Sequence, residues 1–135
     1  MRWVPWILAF VLVIGHSTRV EALLRSGRGQ YAAAWARITR DSKGSDVYVG
    51  SDHDFRNRMV LGFFAARASM GKLLYYVPQS EWKRRPPEWI LVTEGQEFID
   101  PPSEIPFTDV GVYRYVARFD AAPVSGWGWF LYRKQ

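Results

Sequence analysis

The sequence predicts an α/β domain with a small mixed sheet of about five strands, preceded by an apolar membrane helix and a short amphipathic helix. Val47-Tyr48-Val49 is a β-favouring run, followed by a dense polar turn and then helical periodicity from Phe55 to Ser69. Leu73 to Val77 turns β-favouring again and closes at Pro78, so a βαβ unit of about thirty residues is expected. Further on, Val112 to Phe119 alternates between faces, and Trp127 to Tyr132 supplies a strand able to pair with it antiparallel.

Taken in chain order, the first element is the uncharged apolar run from Trp3 to Gly15, preceded by Arg2. It fits a membrane helix if extended to Thr18 with Trp3 and Trp6 as interfacial anchors. It also fits a secretory signal with a weak cleavage site at Val20-Glu21-Ala22. Arg19, Arg25 and Arg28 follow it and give no clean orientation. Residues 1–26 are therefore expected to be an anchor or signal, 27–44 an amphipathic helix and linker, and 45–135 the α/β domain. From Gln30 to Thr39, the residues Tyr31, Ala34, Trp35 and Ile38 recur at i, i+3, i+4 and i+7, the apolar face of a short helix. Asp41 to Ser45 reads as a turn-rich linker.

In the second helix of that unit's region, Phe55, Met59, Gly62 or Phe63, and Ala66 fall on one face, the expected core face. Gly71 stands where a helix stop belongs. Trp89 to Val92 is the next strand, after Pro86-Pro87. Pro101, Pro102 and Pro106 predict a stiff connection without regular structure.

Composition narrows the function. The chain of 135 residues has no Cys, which removes disulfides and thiol nucleophiles. Net charge is +5, but the Arg residues are scattered, and the tight cluster Lys83-Arg84-Arg85 precedes a Pro-rich loop. A nucleic-acid groove needs basic and aromatic residues gathered on one face, so nucleic acid is not an expected partner. A solvated basic surface accounts for the charge, and an anionic membrane is one setting that suits it.

The candidate site is the turn Ser51-Asp52-His53-Asp54-Phe55-Arg56-Asn57, at the carboxyl end of a strand, where open α/β sheets bind ligands. Ser51, Asp52, His53, Asp54, Arg56 and Asn57 are its candidate ligand-binding residues. Carboxylates and an imidazole so close together could ligate a metal or move protons. The same residues also serve structure: Ser51 or Asp52 caps the following helix, Asp52 and Asp54 complement its dipole, and Arg56 and Arg58 pair with the carboxylates. The other histidine, His16, lies in the apolar segment, so neither a metal nor a cofactor is expected. No Gly-x-Ser-x-Gly elbow, dinucleotide fingerprint or phosphate loop occurs. Trp82, Trp89, Trp127 and Trp129, with Tyr75, Tyr76, Tyr113 and Tyr115, either fill the core or stack on sugars. The glycines of Gly126-Trp127-Gly128-Trp129 weaken a strand and allow close approach by a ring or backbone.

The order of these segments resembles a known family. An apolar helix leads to Gln30-Tyr31-Ala32-Ala33-Ala34-Trp35, then to the strand and turn ending Gly50 to Asn57. The run 86–92, Pro-Pro-Glu-Trp-Ile-Leu-Val, follows, and the chain closes on Ser-Gly-Trp-Gly-Trp-Phe-Leu-Tyr-Arg at 125–133. This resembles the carboxyl-terminal part of bacterial multi-spanning glycosyltransferases of the GT-C class, relatives of protein O-mannosyltransferases and aminoarabinose transferases. The resemblance implies a membrane location with an extracytoplasmic (periplasmic) α/β domain. It implies membrane lipid, and a membrane glycosyltransferase core, as partners. The catalytic acidic residues of that class lie in an early loop between membrane helices, which has no counterpart here, so no catalytic residue carries over. The expectation is an accessory domain, either a detached tail or a stand-alone anchored unit. A small enzyme built on the Ser51–Asn57 turn and a secreted carbohydrate-binding module using exposed Trp are the alternatives.

Overall fold

The computed structural model describes residues 4–26, 29–67, 71–94, 100–121 and 128–135. Three α-helices, α1 (Val4–Ser26), α2 (Tyr31–Asp41) and α3 (Asp54–Arg67), accompany one 3₁₀ turn at Gln79–Glu81. The strands are β1 (Asp46–Ser51), β2 (Leu73–Tyr76), β3 (Trp89–Thr93), β4 (Glu104–Phe107), β5 (Gly111–Phe119) and β6 (Trp129–Lys134). They form one sheet in the order β2-β1-β3-β6-β5-β4. β1 pairs parallel with both β2 and β3, and the remaining pairs are antiparallel. The sheet is mixed, as the sequence predicts, and β1-α3-β2 is the expected crossover unit.

It has six strands rather than five. The additional strand, β4, arises in the stretch that the prolines mark as irregular. Pro106 is accommodated because β4 is the outermost strand, so its missing N–H breaks no ladder on the open side. Trp127 and residues 68–70 lie outside the described residues, as do Gly27, Arg28 and Gly126.

α2 forms for the reason its spacing predicts. Tyr31, Ala34, Trp35 and Ile38 are all buried. They join Val47 and Val49 of β1, Trp89 and Leu91 of β3, and Trp129 and Leu131 of β6 in one core. α2 thus belongs to the same packed unit as the sheet. On the opposite sheet face Ile90, Phe130 and Tyr132 meet Val77, Trp82 and Tyr113. β3 and β6 are buried on both faces because adjacent residues point to opposite sides of the sheet and both sides are covered.

α3 departs from expectation. Phe55, Met59 and Phe63 are exposed, at 81%, 56% and 55% of their surface. The packed face carries Asn57 and Leu61, with Val60, Phe64 and Ala65 partly buried beside them. Apolar residues lie on both the inner and the outer side of this helix, so its periodicity is shallow and does not choose a side. The choice is made by Asn57, whose side chain has buried partners on α2 and β1. Gly71 follows the expected stop, with φ +66°, a left-handed conformation that favours glycine.

α1 is continuous from Val4 to Ser26, with Pro5 tolerated in its first turn. Among the described residues, no helix is long and apolar enough to cross a membrane. Val4, Trp6, Ile7, Phe10, Val11 and Ile14 of α1 are more than half exposed.

Candidate functional site

The turn after β1 lies at a topological switch point. The chain leaves β1 for β2 on one side, and β3 flanks β1 on the other, so the carboxyl ends of three parallel strands meet there. The sequence-predicted residues are indeed gathered at this point. The polar side-chain atoms of Ser51, Asp52, Asp54 and Asn57, however, are directed at one another, at the neighbouring strands and their ends, and at α2.

Asp52 accepts from the Thr93 amide at 2.7 Å and from the Thr93 hydroxyl at 3.0 Å, tying the turn to the end of β3. Asp54 accepts from the Tyr76 hydroxyl at 2.8 Å and from the Gln79 amide at 3.0 Å, tying it to the end of β2. The buried Ser51 hydroxyl donates to Asp52 and accepts from the His53 amide, each at 3.1 Å. It also accepts from the Asn57 side-chain amide. The other end of Asn57 accepts from the Tyr31 hydroxyl at 2.8 Å, and both residues are buried. Ser51 and Asp52 thus do not act as the simple caps the sequence suggests: they bind a side chain of the helix and the adjacent strand. Asp54, in the first turn, does complement the helix dipole.

Arg56 lies with its guanidinium carbon 4.9 Å from the centre of the Trp129 ring. Burial pushes the Tyr31 hydroxyl up to about 12, against the opposing charge and hydrogen bond of Arg56. Burial, reinforced by the bond to Asp54, also raises Tyr76. These tyrosines are therefore neutral hydrogen-bond donors at ordinary pH, which suits a fastening role. His53 is exposed. Among the described residues, no three His, Asp or Glu side chains are grouped to hold a metal ion.

The aromatic residues sort clearly. Trp82, Trp89, Trp129 and Tyr113 are buried, while Tyr75 is 41% exposed. The Trp82 indole donates to the Val77 carbonyl at 2.9 Å, and its ring fills the space beside Gly50. A Cβ at Gly50 would approach Trp82 Nε1 to 2.8 Å. Gly128 does permit a close approach, by the backbone carbonyl of Phe119, one of the two expected kinds of neighbour, and also by the Glu94 carboxylate, but not by a ring.

One concavity escaped the sequence reading. A cleft of about 320 Å³ wraps the outer edge of β2, between α3 and the segment after the 3₁₀ turn. Arg58, Arg85, Tyr48, Tyr75 and Glu81 line it. Tyr48 and Tyr75 stack at 5.3 Å, and the Arg85 guanidinium carbon stands 5.5 Å from the Tyr48 ring centre. Its volume falls at the small end of ligand sites, roughly 300–1,000 Å³. No sequence signal could have found it, because its residues come from four separate segments.

No family model matches this chain, and neither the curated proteins nor the solved structures contain a match to it.

Proposed function

We propose that the chain is a membrane-anchored, extracytoplasmic accessory domain without a catalytic site of its own, similar in role to the soluble tail of a GT-C glycosyltransferase. The observation that carries this reading is the contrast between two regions. The polar groups of the turn are occupied in holding strands together, whereas α1 exposes large apolar side chains along its first half. Exposed apolar surface of that extent marks a membrane or protein contact. The domain would be held at the bilayer by α1 and would pack against a membrane glycosyltransferase core.

Membrane fractionation with a carboxyl-terminal topology reporter tests this. The expected result is a membrane-bound chain with the reporter outside the cytoplasm. A chain recovered soluble in the cytoplasm would sink the proposal.

A further inference from the structure

The outer face of α3 is an apolar stripe with basic borders. Phe55, Met59 and Phe63 stand at i, i+4 and i+8, directly opposite the face that packs on the sheet. Arg67 places its guanidinium carbon 5.1 Å from the Phe63 ring centre at one border. At the other border Arg58 lines the cleft, which Arg85 shares. Among the described residues, no carboxylate forms an ion pair with Arg58, Arg67 or Arg85. Two carboxylates lie near this surface. Asp54 is occupied by Tyr76 and Gln79, and Glu81 lines the cleft, leaving its lining with two positive charges and one negative.

We infer that this face lies in the bilayer interface, with Phe55, Met59 and Phe63 among the upper acyl chains and an anionic phospholipid headgroup held between Arg58 and Arg85. Large apolar side chains exposed as one stripe mark a membrane or partner contact, and arginines beside them add attraction to anionic lipid. Charge selects the occupant. In a symmetric pair of copies the same patch faces itself, which would bring the basic borders of one copy toward those of the other. An anionic lipid surface neutralises them instead. The inference rests on the anchored-domain reading and adds which face of the domain meets the membrane.

The chain has no Cys, so Met59→Cys gives a single site for an environment-sensitive fluorophore. Thr108→Cys, exposed beside β4 at the opposite edge of the sheet, is the control, and Phe10→Cys reports on α1. The full chain is mixed with vesicles of phosphatidylcholine alone or with added phosphatidylglycerol. The expected result is a blue shift and protection from aqueous quencher at position 59, not at 108, on the anionic vesicles. The double variant Arg58→Gln/Arg85→Gln should weaken that response by on the order of tenfold. A label at 59 that stays in water while the label at 10 inserts overturns this inference and leaves the anchored-domain reading standing. If neither inserts, both fall. Insertion at 59 that is equal on neutral vesicles and indifferent to the Arg variants overturns the lipid-headgroup assignment. Protection at 59 without vesicles, growing with protein concentration, would assign the face to a second copy instead.

Discussion

Asn57→Ala is the sharpest perturbation of the clamp beneath the turn. Asn57 is fully buried and joins two elements: it accepts from Tyr31 on α2 and donates to Ser51 at the end of β1. Truncation strands the buried Tyr31 hydroxyl donor, at a cost of about 1–3 kcal/mol. Loss of the second bond adds roughly 1 kcal/mol, because Ser51 keeps its contacts with His53 and Asp52. The sum is about 2–4 kcal/mol, a large part of the stability of a domain this size. Urea unfolding followed by tryptophan fluorescence measures it, since Trp129 lies 4.3 Å from Tyr31 between ring centres. With a urea m-value of roughly 2 kcal/mol/M, the midpoint should fall by about 1–2 M at unchanged slope. Tyr31→Phe removes the same bond from the other side. The double variant should therefore recover about 1 kcal/mol relative to the sum of the singles. Strictly additive single variants, or a midpoint unmoved by Asn57→Ala, would refute the idea that Asn57 decides which side of α3 faces inward.

Leu61→Ala should cost about 2–5 kcal/mol in chemical unfolding. Phe55→Ser and Met59→Ser should stay within about 0.5 kcal/mol, and the reverse ranking would mean that α3 packs by its other face. Gly50→Ala should destabilise by about 1–3 kcal/mol through collision with Trp82, visible as a lower melting temperature. A melting temperature equal to that of the parent chain would show that Trp82 moves aside freely. Tyr31, Tyr113 and Tyr132 are held up to about 12 by burial, from an ordinary value of 10.0. The unfolded chain therefore releases these protons first, so their contribution is complete below pH 10 and is lost as pH rises toward 12. Tyrosinate absorbance should accordingly rise with unfolding, and ionisation of all tyrosines near pH 10 in a still-folded chain would contradict it.

Where the sequence reading succeeded, one local rule dominated. α2 has its large apolar residues on one side only, so its buried face follows from spacing. β1, β2, β3 and β5 announced themselves through β-branched and aromatic runs bounded by Gly or Pro. It failed where local rules were silent or opposed. α3 has apolar residues on two opposite sides, and the polar Asn57 that settles its orientation looks, in sequence, like a surface residue. β4 contains a proline, and its edge position cannot be seen before the strand order is known. The cleft at the β2 edge is a meeting of α3, β1, β2 and the segment after the 3₁₀ turn.

The sequence by itself determined the mixed α/β class, the crossover unit, the core face of α2 and the position of the polar turn at the end of β1. Each depends on residues close together in the chain, whose hydropathy period and turn chemistry are local properties. Tertiary structure decided what that turn does. Thr93, Tyr76, Gln79 and Tyr31 reach it from distant parts of the chain and occupy the oxygens that, in sequence, could have served a ligand. It also decided that Phe55, Met59 and Phe63 face outward, because a helix with two apolar sides is oriented by its buried hydrogen bonds, and those need partners that only the folded chain supplies.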